Sequence, residues 1–171
     1  MQRIDGKWMP TVTDKAIFGF FGDYRFLSNF HLAPLTVEGL TYPTSEHAYM
    51  AQKSLDPAVR EAFTRIGSPM DARRQGQLVQ LRPDWEEVKV AAMLKVSQAK
   101  YANPELAAKL LATGARYLEE TNYWKDVIWG FCNGRGTNYL GRVLMSVRDE
   151  LRGRPLELPP ALPLADRPAG V

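Results

Sequence analysis

Glu46 and Lys53 are the pair whose types and spacing could do chemistry. They lie in Thr41–Lys53, TYPTSEHAYMAQK, seven residues apart with Tyr49 and Met50 between them. Seven residues is close to two helical turns, so a helix would place acid, aromatic and amine on one face. Such a rigid face suits an active-site wall, with the carboxylate and amine as acid–base or nucleophilic groups. The plainer alternative is a surface helix with a solvated Glu and Lys, because structural ion pairs outnumber catalytic ones.

Local signals set that helix. Tyr42 precedes Pro43, which disfavours helical backbone and stops the extended run. Thr44 or Ser45 can then cap a new helix. Glu46 falls in its first turn, where the helix dipole favours a carboxylate. Leu35–Val37 and Leu40–Tyr42 flank Glu38-Gly39 as a hairpin that delivers the chain to this point. Lys15–Phe21 reads as a strand, and residues 22–30 as a loop in which Asn29 either ties the loop or presents an amide to a ligand. Asp56-Pro57, Ser68-Pro69 and Asn103-Pro104 each read as a cap followed by a first-turn proline. Helices are expected near 57–66, 69–78, 84–102 and 104–112. In the long one Trp85, Val88, Ala92, Val96 and Ala99 should face the core, with Trp85 a core anchor or a pocket lip. Arg116–Glu120 and Val127–Phe131 read as strands around a 121–126 loop. A glycine-containing loop, 132–138, enters a last helix at about 139–152 with Leu140, Leu144, Val147 and Leu151 on its apolar side.

Composition bounds the function. The 171 residues are 45% hydrophobic and 24% charged, ordinary for one soluble domain. The expected organisation is an irregular lead-in over 1–14, a domain over 15–153 and a flexible tail over 154–171, where five of the twelve prolines lie. No apolar run approaches the ~20 residues of a membrane helix, and the N-terminus lacks a signal-peptide centre. Cys132 is the sole cysteine and His31 and His47 the only histidines. A disulfide framework and a multi-Cys zinc site are excluded, and the reading is a cytoplasmic, metal-independent protein. The net charge of +3 and pI of about 9 suit a phosphorylated substrate without establishing nucleic-acid binding. Arg73, Arg74, Lys89 and Arg135 are the phosphate candidates. Gly134-Arg135-Gly136 resembles a backbone anion nest, and Arg73 and Arg74 are most simply a solvated face.

Several motifs then line up: Phe26–Phe30, Tyr42–His47, Ala51–Lys53, Leu81–Trp85 with Val88-Lys89, Asp126 with Trp129-Gly130, and Gly136, Asn138, Leu140-Gly141, Leu144-Met145 and Arg148. In order and spacing they resemble the NADAR superfamily, the YbiA-like proteins, from about Ile17 to Leu151. The resemblance implies an α+β, mainly helical, single compact domain with a few short strands. It also implies N-glycosidase activity without metal or other cofactor. Two substrate groups come with it. One is the phosphorylated ribosylaminopyrimidine intermediates of riboflavin synthesis; the other is ADP-ribose attached to guanine, including guanine in nucleic acid. A non-catalytic ADP-ribose or nucleotide-binding module is the alternative from another class.

Carried over by motif, Glu46, Asp126 and Trp129 match the family's core catalytic positions. Asn29, Lys53, Trp85 and Lys89 match signature positions. The resulting site is Glu46, Asp126 and Lys53 for catalysis, with Trp129, Trp85, Asn29, Lys89 and Arg135 for substrate binding. Met50 departs from a frequent glutamine, and Phe131-Cys132-Asn133 from a more usual turn, which bears on substrate choice more than on reaction type. Breaking a ribosyl C–N bond builds positive charge on the sugar and negative charge on the leaving nitrogen, so two carboxyl groups in different environments are expected. Glu46 suits the cationic sugar or the water, and Asp126, between Trp124 and Trp129, the acid, with the reverse assignment open. Lys53 offers a second route through an imine with the opened sugar, or else pairs with Glu46 or holds phosphate.

Overall fold

The structure is a computed structural model that describes residues 2–4 and 6–167. In chain order its elements are β1 (Gln2–Ile4), β2 (Lys7–Met9), β3 (Thr11–Val12), β4 (Ala16–Phe18), β5 (Leu35–Val37), β6 (Leu40–Tyr42), α1 (Ser45–Ala51), α2 (Pro57–Ala62), α3 (Pro69–Gly76), α4 (Trp85–Tyr101), α5 (Pro104–Ala112), β7 (Tyr117–Glu119) and α6 (Tyr139–Leu151). The architecture is α+β and mainly helical with short strands. Two compact units are formed, one by Asn29–Pro104 and the other by the residues before and after it.

The 29–104 unit begins with the β5–β6 hairpin, in register Leu35↔Tyr42 and Val37↔Leu40. Glu38 and Gly39 both have positive φ, 52° and 81°, the turn that matches the twist of paired strands. Its Glu38 carboxylate pairs with Arg60 of α2 and with Lys95 of α4 at 2.7 Å, tying the turn to two helices. Thr44 caps α1, its hydroxyl accepting from the His47 N–H. All seven α1 residues are buried, which corrects the surface-helix alternative. Asp56 and Ser68 cap α2 and α3 ahead of their first-turn prolines, as expected. On α4 the buried residues include Trp85, Ala92 and Val96, but Val88 and Ala99 are only half-buried; Met93, Ser97 and Lys100 complete the inward face.

In the other unit β4 is the centre of a three-stranded sheet. It pairs antiparallel with β3 and parallel with β7, in register Ala16↔Tyr117 and Phe18↔Glu119. Helix α6 packs on β7 through Leu140, Leu144 and Val147, whereas Leu151, expected on the same side, is exposed in the last turn. The lead-in expected to be irregular carries β1, β2 and β3, with β1 and β2 as a hairpin. Residues 22–27, read as loop, form a 3₁₀ turn.

Two further expectations are corrected here. Val127–Phe131 is not a strand. The N–H groups of Thr137, Asn138, Tyr139 and Leu140 donate to the carbonyls of Val127, Gly130, Ile128 and Trp129 at 2.9–3.2 Å. The segment's carbonyls thus satisfy the donors that a helix N-terminus leaves open, and no ladder forms. The proline-rich tail is not loose over its described part. Arg142 Nε donates to the Pro159 carbonyl at 2.6 Å, the Leu162 N–H donates to Tyr117 Oη at 3.0 Å, and Arg167 pairs with Glu119. No helix among the described residues is long and apolar enough to cross a membrane.

Candidate functional site

Five candidate residues lie in the 29–104 unit. Glu46, 6% exposed, is in the first turn of α1, and its N–H donates to the Asn29 carbonyl at 3.0 Å. Asn29 therefore ties its loop to the start of the helix; its side-chain amide meets the Met93 sulfur at 3.5 Å. Lys53 follows the end of α1 and is half-buried. Its Nζ donates to the Gly76 carbonyl at 2.9 Å, at the end of α3. Burial holds the Lys53 ammonium below its ordinary pKa; Glu46 opposes that shift and Arg73 adds to it. Glu46 and Arg73 are thus each within electrostatic reach of Lys53.

Trp85 opens α4 and is buried, its ring 5.3 Å from that of Tyr49 and tilted by 47°. This is core packing against the aromatic between Glu46 and Lys53, so Trp85 braces the face that carries the pair. Lys89, one turn on, is half-buried and ion-paired with Glu86. A groove of about 820 Å³ in this unit, lined by Leu55, Val59, Phe63, Ile66 and Leu81, contains none of the five.

The remaining three residues lie in the loop between β7 and α6. Asp126 is half-buried, and its Oδ1 accepts from the N–H groups of Ile128 at 3.1 Å and Trp129 at 2.8 Å. Trp129 is half-buried, 6.1 Å from the Tyr139 ring. Asp126 therefore fixes the backbone on which Trp129 is displayed. Arg135 is exposed and closes a tight turn, its N–H donating to the Cys132 carbonyl at 3.2 Å. The turn thus uses one of the donors of the expected backbone nest.

Sequence reasoning missed several supports. Asn122 holds the Asp126 loop: its Oδ1 accepts from the Asp126 N–H at 3.1 Å, and its Nδ2 donates to the carbonyls of Asp126 at 2.7 Å and Phe131 at 3.2 Å. Gly76 was missed because its contribution is a carbonyl and a missing side chain. A Cβ there would stand 2.2 Å from the Met50 sulfur, so Met50 fills the space that a larger residue would need. Arg73, read as a solvated side chain, is half-buried beside Lys53. Among the described residues, no group of three or more His, Cys, Asp or Glu side chains is placed to hold a metal ion.

The arrangement offers a buried carboxylate with a partly desolvated amine, suited to a carbon that becomes electrophilic. Comparison with known proteins identifies the family. The family model described as the NADAR domain matches residues 17–152. The chain is 43% identical over 155 residues to the N-glycosidase YbiA of Shigella boydii, covering 88% of this chain and 94% of that protein. It is 40% identical over 134 residues to a riboflavin biosynthesis protein of Vibrio vulnificus, covering 76% of this chain but 36% of that longer protein. The NMR structure of the Escherichia coli protein YbiA superposes with a TM-score of 0.74 at 40% identity, covering 83% of this chain and 88% of that one.

Proposed function

The chain belongs to the NADAR domain family, and on that premise we propose that it hydrolyses the ribosyl C–N bond of phosphorylated ribosylaminopyrimidine intermediates of riboflavin biosynthesis. As a class it is a hydrolase acting on N-glycosyl bonds, in keeping with the names of its relatives. The riboflavin connection is favoured by the Vibrio vulnificus relative and by a second riboflavin biosynthesis protein from Zea mays, 34% identical over 151 residues.

The observation that carries the reading is Glu46 and Lys53 at either end of one buried helix, with Lys53 partly desolvated. Burial enlarges the neutral fraction of the amine, which a nucleophile needs. Its bond to Gly76 uses one N–H and leaves the lone pair of the neutral amine available. In the reaction proposed, the ribosylamine opens to an imine at C1. Lys53 Nζ adds there, the pyrimidine amine leaves with a proton, and water then hydrolyses the lysine imine to ribose phosphate and free Lys53. Glu46 stabilises the cationic carbon and moves the water proton. In the direct alternative water attacks C1 itself under Glu46, and Lys53 only holds the substrate. By motif, Asp126 is assigned the leaving nitrogen, Trp129 the base, and Asn29, Lys89 and Arg135 the polar groups of the substrate, with Trp85 bracing Tyr49 from the core. Each assignment is open to single substitution.

The test is an end-point assay by chromatography and mass spectrometry. Purified protein is offered a ribosylaminopyrimidine phosphate and, separately, DNA carrying ADP-ribosylated guanine. Free pyrimidine with ribose phosphate from the first supports the reading. Release of ADP-ribose from the second alone would replace it with modification reversal, and binding of ADP-ribose without turnover of either would replace it with a binding module.

A further inference from the structure

We propose that Arg167, in the proline-rich segment beyond the family-matched residues, is a positioning residue for the loop that carries Asp126 and Trp129. The inference rests on the proposed function, in which that loop serves the reaction.

The contact is built into the interior of its unit. The side chains of Arg167 and Glu119 are 5% and 0% exposed. Arg167 Nη2 and Nε donate to Glu119 Oε2 at 2.7 and 3.2 Å, while the other carboxylate oxygen accepts from Thr121 Oγ1 at 2.9 Å. The guanidinium carbon lies 3.6 Å from the centre of the Phe131 ring. Glu119 and Phe131 stand on opposite sides of the loop's stem. Thr121 and Phe131 form an isolated bridge, the Asn122 N–H donates to the Phe131 carbonyl at 2.9 Å, and the Phe131 N–H donates to the Glu120 carbonyl at 2.9 Å. Arg167 therefore grips both sides of the stem from which Asp126 and Trp129 project.

The tail end of the clamp is itself held. Arg167 Nη1 donates to the Leu162 carbonyl at 2.6 Å, and the Leu162 N–H donates to Tyr117 Oη, which also accepts from Asn138 Nδ2. An exposed ion pair would contribute little. A buried one leaves an uncompensated carboxylate when its partner is removed, and the stacked guanidinium adds a cation–π contact. Loosening such a stem changes where the loop residues stand, and small misplacements of reacting groups are costly in rate.

The test uses the full-length chain with Arg167→Met, Arg167→Lys and the neutral double variant Arg167→Met/Glu119→Gln. Amide hydrogen exchange at residues 120–131 is read beside steady-state kinetics on the ribosylaminopyrimidine phosphate. Arg167→Met is expected to speed exchange at the Asn122 and Phe131 amides, leave α4 amides unchanged, and lower kcat about tenfold or more with a smaller rise in KM from the displaced Trp129. The double variant removes the buried charge together with its partner and recovers part of both losses, and it serves as the folded comparison should Arg167→Met unfold. Arg167→Lys keeps the charge but lacks the planar fork, and falls between. Unchanged exchange, or faster exchange with unchanged kcat, would overturn the proposal. Absence of turnover by the wild type would instead fail the proposed function, and the exchange comparison would then decide the clamp alone.

Discussion

Lys53 Nζ donates to the carbonyl oxygen of Gly76 at 2.9 Å, joining a residue two positions past α1 to the last residue of α3. The partner is a backbone atom, and its position depends on Met50 packing where a side chain at residue 76 would be. Gly76→Ala would bring a Cβ against Met50 at 2.2 Å and push the two helices apart. Overpacking of this kind costs about 1–3 kcal/mol. We expect a lower Tm and a lower kcat, with partial recovery of both in Gly76→Ala/Met50→Ala. Thermal melts and steady-state kinetics on the wild type, Gly76→Ala, Met50→Ala and the double variant check this.

Glu46 opposes the lowering of the Lys53 pKa that burial causes, and Arg73 reinforces it. If the neutral amine is the reacting form, kcat rises with pH through the Lys53 pKa. Glu46→Gln removes the opposing charge, so the inflection moves to lower pH. Arg73→Met removes the reinforcing charge and moves it higher. Glu46→Gln also loses the carboxylate that steadies the cationic carbon, a loss of roughly 10²–10⁴-fold in rate. A kcat–pH profile of the three proteins reads both effects; an inflection unmoved by either substitution would count against Lys53 as the titrating group.

The covalent route predicts a trapped adduct. Borohydride added during turnover should raise the intact mass by one reduced ribose phosphate, located on Lys53 by peptide mapping and absent from Lys53→Arg. An unlabelled enzyme that still turns over would move the mechanism to direct attack by water.

Much of this site was legible in the sequence because short-range rules govern it. Tyr42-Pro43-Thr44 announced the start of α1, and Glu38-Gly39 the turn before it, each through backbone preferences of single residues. Apolar alternation misled at Val127–Phe131. Those carbonyls answer to the donors at the start of α6 instead of to a neighbouring strand. The Gly76 carbonyl, the Asn122 network and the Arg167 clamp depend on partners 23, 4 to 9 and 48 residues away. Periodicity carries no information about contacts of that kind.

His47 supplies a pH dependence of stability that is separate from catalysis. Its Nε2–H donates to the Ile66 carbonyl at 3.1 Å, and in the neutral ring that burial favours Nδ1 accepts from the Thr44 hydroxyl at 2.8 Å. Burial lowers its pKa from the ordinary 6.5, against the smaller opposite effect of the Ile66 bond. The unfolded chain therefore takes up a proton as pH falls through 6.5 while the folded chain does not, and stability drops on acidification. Urea midpoints should be lower at mildly acidic pH than at neutral pH, with the difference diminished in His47→Gln. Equal midpoints in the wild type would contradict the assignment.

The central claim is that Glu46 acts on the ribosyl C–N bond of a phosphorylated ribosylaminopyrimidine. The most direct measurement is the amount of free pyrimidine released from that substrate by the wild type and by Glu46→Ala, with circular dichroism confirming that both are folded. Stoichiometric release of pyrimidine and ribose phosphate is expected from the wild type, and near-background release from the variant. Intact substrate after prolonged incubation with folded wild type, or full activity in Glu46→Ala, would contradict it.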